Sequence, residues 1–331
     1  MEKKYRLYVA GIVAELKLNC VIFGGGGFIG SAIADKLLLA GHTVRIFERP
    51  RVPQYRKFEP AEKFEWLSGD LLSLHDVTEA LTGADVVFHL VSTTLPKSSN
   101  DDPIYDVQTN VVASLQILNV MVATKVPKIV FISSGGTVYG RPVALPITES
   151  HPTNPEVSYG ISKLTIEKYL LLYERLHGIK SIILRVSNPF GERQRIETAQ
   201  GAVGVFAARA LQGLPIEIWG DGSVIRDFIY VGDVAEAFLK AMHYSGDCSV
   251  FNIGSNCGMS VNQLLDSLET VLGVTVTRTY LPGRPYDVPV NVLDSGLAYR
   301  ELGWQPMTPF REGLLRTVAW MKGLGNDGNA L

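Results

Sequence analysis

The chain has 331 residues, 46% of them hydrophobic, 19% charged and 9% aromatic, which suits two domains or one large one with a sizeable core. Its 31 basic and 33 acidic residues leave a formal net charge of −2, excluding a global positive field for nucleic acid or an anionic membrane surface. Cys20, Cys248 and Cys257 are too scattered for a disulfide framework or a metal site, and no apolar run approaches the ~20 residues that span a bilayer, so a cytoplasmic protein without a metal is expected.

Lys3, Lys4 and Arg6 precede the apolar run 7–14, a weak likeness to a signal peptide. That run is short and closed by Glu15 and Lys17, so residues 1–17 read as a poorly ordered extension or an upstream start. From Leu18 onward short apolar runs alternate with amphipathic stretches. Strands are expected over 19–23, 43–47, 64–67, 85–90, 128–132 and 181–186, with helices over 28–40, 75–81, 105–124 and 155–177. Buried strands separated by helices predict an α/β protein with a Rossmann-type doubly wound parallel sheet over 18–188. Beyond Asn188 proline and glycine become denser, and 261–272 is the clear amphipathic helix. A smaller C-terminal α/β substrate lobe is expected over 189–322, with some segments returning to the first domain and a disordered tail over 323–331.

The run Val21-Ile22-Phe23-Gly24-Gly25-Gly26-Gly27-Phe28-Ile29-Gly30 sets Gly24, Gly27 and Gly30 in G-x-x-G-x-x-G spacing, between a strand and a helix. Missing Cβ atoms let the backbone approach a pyrophosphate, which then meets the free N–H groups of the helix start at Phe28, Ile29 and Gly30. A glycine turn with no ligand uses the same residues; the strand–loop–helix context favours the dinucleotide. Glu48 ends the second strand, where a carboxylate accepts hydrogen bonds from the adenosine ribose and repels a 2′-phosphate. NAD is therefore expected over NADP, a preference that neighbouring Arg49 weakens. Asp70, in Ser68-Gly69-Asp70-Leu71, is placed either to meet the adenine edge or to serve as a cap or turn aspartate.

Tyr159-Gly160-Ile161-Ser162-Lys163 puts a tyrosine and a lysine on one helical face. A phenol of pKa near ~10 is a poor base at neutral pH, and a nearby ammonium is expected to lower that value and create a general acid/base. Alone, Y-x-x-x-K is usually a solvated face; after a dinucleotide loop the chemical reading wins.

With these residues the chain resembles the extended short-chain dehydrogenase/reductase family, in its nucleotide-sugar epimerase branch, from Leu18 to about Trp320. The likeness also rests on Phe88-His89-Leu90, Thr109-Asn110-Val111 and Phe131-Ile132-Ser133-Ser134-Gly135-Gly136-Thr137-Val138-Tyr139-Gly140. Further on it takes in Arg185-Val186-Ser187-Asn188-Pro189, Arg226-Asp227-Phe228-Ile229-Tyr230, Gly283-Arg284-Pro285-Tyr286-Asp287 and Glu301-Leu302-Gly303-Trp304. The resemblance implies an NAD-dependent 4-epimerase of a UDP-hexose or UDP-N-acetylhexosamine, with Leu71, Leu90 and Asn110 beside the cofactor. Tyr159 would take the proton of the sugar 4-hydroxyl while the C4 hydrogen passes to NAD. The 4-keto sugar would then turn over and be reduced on its other face.

The same resemblance sets the diphosphate against Asn188, Arg226 and Arg284, since guanidinium forks suit phosphate oxygens. Arg226 beside Asp227 fits a surface ion pair equally. Asn291 aligns with a position that gates sugar size and, being smaller than a tyrosine, would admit an N-acetylated sugar. Relatives often pair through the helix that carries the tyrosine, so a homodimer is expected. Where relatives carry Ser or Thr, four residues before Tyr139, this chain has Gly135. Ser134 is then the first choice of hydroxyl partner and Thr137 the second, unless both only satisfy turn backbone groups. Gly136 and Thr137 stand where dehydratases carry an Asp-Glu pair, which argues against dehydration. A decarboxylase or uronate epimerase stays open, and Tyr159 with Lys163 disfavours a non-catalytic scaffold.

Overall fold

Runs of valine, isoleucine and phenylalanine, covered on both faces, form one parallel sheet of seven strands. It is seen in a computed structural model that describes residues 7–9, 12–14, 17–194, 201–283 and 288–326. The strands are β1 (Asn19–Phe23), β2 (Thr43–Glu48), β3 (Phe64–Ser68), β4 (Val86–His89), β5 (Lys128–Ser134), β6 (Lys180–Val186) and β7 (Val250–Ile253). Their spatial order is β3-β2-β1-β4-β5-β6-β7. The order reverses between β1 and β4, which opens a crevice beyond their carboxyl ends and makes the fold a Rossmann-type α/β arrangement. The six strands read from the sequence are present. The seventh comes back from the far part of the chain to pair Val250 with Ile183 of β6.

Helices Phe28–Leu39 and Val231–His243 cover one face and bury Ile33, Leu37, Phe238 and Ala241. Helices Leu74–Leu81, Ala113–Thr124 and Ser158–His177 cover the other with Val77, Leu118, Met121, Ile166 and Leu170. The stretch predicted as one helix over 105–124 starts at Pro103 and widens into a π-turn over Val107–Val112, which carries Asn110. Its 22 residues are, by length and composition, enough to cross a membrane. Its inner face, with Val111, Ile117, Leu118 and Met121, lies in the core.

A second core gathers Phe190, Ile216, Leu264, Leu268, Leu314 and Met321. Around it, strand Ile225–Tyr230 pairs with Asn188–Phe190, Gly258–Ser260 and Val290–Asn291, beside a two-stranded sheet of Ile216–Trp219 and Arg278–Leu281. The helix expected over 261–272 is found with those limits; Ser260 and Gln263 form its capping box and Gly273, at φ +69°, ends it.

Regular structure also reaches into both ends of the chain. Within the N-terminal extension Leu7–Val9 and Ile12–Ala14 pair antiparallel, because their β-branched and aromatic residues favour a hairpin over disorder. At the other end the helix Phe310–Asn326 runs four residues past Lys322 into the segment read as a tail, carried by the turns that pack Leu314, Val318 and Met321.

Candidate active site

The loop after β1 is shaped by contacts that leave no space for side chains. Gly24 has φ +85°, a left-handed conformation that glycine adopts without strain. A Cβ on Gly30 would lie 2.2 Å from the Gly24 carbonyl oxygen, and one on Gly26 would lie 2.7 Å from the Trp66 ring. The helix that follows has Gly27 as its N-cap, with no side-chain cap and no acidic residue in its first turn. Its leading N–H groups at Phe28, Ile29 and Gly30 therefore point at an uncontested anion position. Glu48, at the end of β2, accepts a 3.0 Å hydrogen bond from Gly26 N through Oε1, which sets a carboxylate across the loop. This cradle, with an acid at its rim, fits the pyrophosphate and adenosine ribose of NAD.

Neighbouring residues divide differently. Arg49 is exposed next to Glu48. Asp70 accepts from Leu72 N at 2.9 Å, the turn-aspartate pattern, while Ser73 caps the next helix. Leu71 packs against the core on that side, and Leu90 follows β4 with its N–H on the Phe23 carbonyl, 3.0 Å away. Asn110, expected to face the cofactor, is turned inward. Its Oδ1 accepts from Thr93 N at 3.0 Å, and its amide donates to Thr94 Oγ1 and to Asp106.

Tyr159 and Lys163 share one face of helix Ser158–His177. The Lys163 side chain is 4% exposed and its Nζ donates 3.1 Å to the Ile132 carbonyl of β5, 5.7 Å from the Tyr159 ring centroid. Burial pulls this ammonium down to about 8, against the upward pull of Asp106 and Glu167. Burial pushes the Tyr159 phenol up to about 12, partly countered by a hydrogen bond with Ser92. Removal from water is thus the largest influence on the phenol here, and the Asp106 charge adds to it. His89 lies behind the pair with Nε2 2.8 Å from Ser114 Oγ, and burial, then the Lys163 charge, hold it down to about 3.

Behind the catalytic helix runs a buried polar chain that sequence reasoning missed. Glu167, four residues after Lys163, takes two hydrogen bonds from Arg185, at 3.0 and 2.6 Å, and one from Ser133. Arg185 reaches Tyr139 Oη at 3.0 Å, and Tyr139 donates 2.7 Å to Asn252 of β7. The i, i+4 spacing of Lys163 and Glu167 was the available signal.

The hydroxyl candidates separate on contact. Ser134 ends β5, and its carbonyl accepts from Thr137 N and Val138 N. Thr137 Oγ1 is buried without a partner among the described residues. A Cβ at Gly135 would stand 2.5 Å from Leu293 Cδ1, so a larger residue there would have to displace that leucine. Asn291 is buried in the same place; its amide donates 3.1 Å to the Gly135 carbonyl, while its Oδ1 has no partner among the described residues. Its amide braces the loop at Gly135.

Asn188 donates 3.0 Å to the Asp227 carbonyl, and Arg226 donates to the Ile225 and Val288 carbonyls at 2.9 and 2.7 Å. Asp227 faces the other side of the strand, where it accepts from Ser255, Ser187 and Leu293 N, so the sequence neighbours point apart. Arg284 lies outside the described residues.

Residues 20–254 match the NAD dependent epimerase/dehydratase family. A Methanocaldococcus jannaschii protein provisionally assigned as a UDP-glucose 4-epimerase is 38% identical over 91% of this chain and 98% of its own length. The UDP-glucose 4-epimerase of Thermotoga maritima, solved with UDP-glucose, superposes with a TM-score of 0.87 at 34% identity, covering 92% of this chain and 99% of that one. That of Thermus thermophilus, solved with NAD, gives 0.85 at 30% identity over 92% and 99%.

Proposed function

The chain belongs to the NAD-dependent epimerase/dehydratase family, and from that premise we propose that it is an NAD-dependent nucleotide-sugar 4-epimerase acting on a UDP-hexose or UDP-N-acetylhexosamine. The observation that carries this reading is a pairing across one crevice. A tightly packed glycine loop closes β1, and the helix of Tyr159 and Lys163 is held near the end of β5, two strands away in the same parallel sheet.

Each residue has a part in the mechanism. Gly24 to Gly30 hold the pyrophosphate, Glu48 the adenosine ribose, and Asp70 and Leu71 border the adenine. NAD held there would supply the acceptor for the hydride from the sugar carbon and the donor for its return. Tyr159 takes the proton of the 4-hydroxyl and gives it back once the keto sugar has turned its other face. Lys163, kept positive by the carboxylates around it, stabilises the phenolate in that interval. The unpartnered Thr137 hydroxyl takes precedence over Ser134 as the group that holds the reacting oxygen. Asn188, Arg226 and Arg284 hold the diphosphate, so residues 18–188 bind mainly the cofactor and 189–322 mainly the sugar nucleotide. Exposed Val112, Val122, Ile161 and Leu176 on two neighbouring helices support a homodimer, and we place the enzyme in the cytoplasm.

The test is incubation of purified protein with UDP-, dTDP- and GDP-sugars, glucose, N-acetylglucosamine and glucuronate among them, with products resolved by NMR. The 4-epimer of a UDP-sugar should form without net reduction of NAD. A reduced, dehydrated or decarboxylated product overturns the reading.

A further inference from the structure

We propose that Asp106 is the positioning residue of the catalytic pair: its buried carboxylate fastens the first turn of helix Ser158–His177 to the segment 94–110 and serves as counter-charge to the Lys163 ammonium. The inference rests on Tyr159 and Lys163 being that pair.

Asp106 is wholly shielded from solvent at the head of the π-turn. Four side-chain donors from three parts of the chain converge on it. Thr94 Oγ1 and Asn110 Nδ2 meet Oδ1, the latter at 3.0 Å; Ser158 Oγ and Ser162 Oγ meet Oδ2 at 3.0 and 2.6 Å. Converging donors are the surroundings of an ionised carboxylate. Ser158 and Ser162 are the residues immediately before Tyr159 and Lys163, so each bond fixes the helical position of one member of the pair. The helix lacks a cap of its own, since Val157 offers no side-chain acceptor. Its leading amides are capped instead by the neighbouring segment: Ser158 N donates to Asn100 Oδ1 and Tyr159 N to Ser99 Oγ, both at 2.9 Å.

Charge completes the argument. The ionisable groups around Lys163 are Asp106 from the preceding helix, Glu167 and Tyr159 from its own, and His89 from β4, which stays neutral. Glu167 is already matched by the two-pronged contact of Arg185. No ion pair with Asp106 occurs among the described residues, so no directly paired cation offsets its charge on Lys163. The same charge pushes the Tyr159 phenol upward, so removing it moves both members of the pair the same way.

The experiment is the pH dependence of kcat for Asp106→Asn, assayed with UDP-glucose. Asparagine keeps the shape and removes the charge. Both limbs of the profile should move to lower pH, by about one unit, so that kcat is gained on the acid side and lost on the alkaline side as Lys163 gives up its proton earlier. A fastening role alone would lower kcat equally at every pH. Ser162→Ala, which keeps the charge and removes one fastening bond, should lower kcat severalfold with KM and both limbs unmoved. If Asp106→Asn does not fold, the double variant Ser158→Ala/Ser162→Ala decides: unchanged kcat overturns the proposal. Tyr159→Phe separates the two levels. If it keeps turnover, the catalytic pair is misassigned; if it is inactive while Asp106→Asn keeps its kcat and its limbs, only the inference about Asp106 falls.

Discussion

At the end of β1 the site is made from atoms that are missing. Gly30 leaves space for the Gly24 carbonyl, Gly26 for Trp66, and the functional groups are backbone N–H groups at a helix start. At the end of β5 the site is made from side chains: Asp106, Glu167, Arg185 and four hydroxyl residues surround buried Lys163 and fix the helix that carries Tyr159. The first region is set by volume and is indifferent to pH. The second is set by buried charge, where each group depends on the protonation of the next. A substitution should therefore show which kind of region it has entered: added atoms do harm in the loop, lost charges behind the tyrosine.

The largest effect is expected from Glu167→Ala. It leaves Arg185 buried without its carboxylate, in a pair whose side chains are 5% and 2% exposed, and should cost about 3–5 kcal/mol in urea unfolding. A cost under about 1 kcal/mol would show that water reaches this chain and would erase the contrast. His89 gives the pH signature of the same region. Its folded pKa, about 3, is below the ordinary 6.5, so the unfolded chain binds the extra proton and stability falls as pH drops from about 6.5 to 3. The loss should be on the order of 4 kcal/mol across that interval. His89→Gln, which keeps a donor for Ser114, should flatten the acid limb; an unchanged slope refutes the assignment.

How far these regions could be read from sequence follows from the range of their contacts. Gly24, Gly27 and Gly30 are near neighbours in the chain, and their need for φ freedom and close approach is local, so spacing revealed them. Tyr159 and Lys163 were visible for the same reason, one turn apart. Asp106 was not, because Ser158 and Ser162 lie more than fifty residues away. Asn110 was singled out for the cofactor, but the backbone of Thr93 and the carboxylate of Asp106 occupy both ends of its amide. Asn291 was singled out for the sugar, but its strand pairing with Arg226 and its bond to the Gly135 carbonyl are distant contacts that spacing does not show. Strand β7 was hidden because its four residues become a strand only by lying beside β6.

In the loop, Gly30→Ala should cost about 3 kcal/mol and release co-purifying NAD, while leaving the pH profile of the residual activity where it was. A shifted profile would mean that the two regions are coupled. The smallest effect, about 1 kcal/mol, is expected for Ser73→Ala, which removes the cap of helix Leu74–Leu81. Neither turnover nor its pH limbs should change, which makes it the reference for plain loss of stability.

The return of β7 has a consequence for how the protein can be divided. Phe251 and Ile253 fill the core of the nucleotide-binding sheet, and helix Val231–His243 covers its face, yet both enter only after the chain has passed through the second core. A fragment ended at Asn188 would lack that cover and expose β6 as a long apolar edge, the kind that pairs with other chains. The two lobes are threaded through one another like a stitch. They should melt in one transition, and a soluble half is more readily obtained by cutting within a surface loop and keeping both pieces together than by truncation.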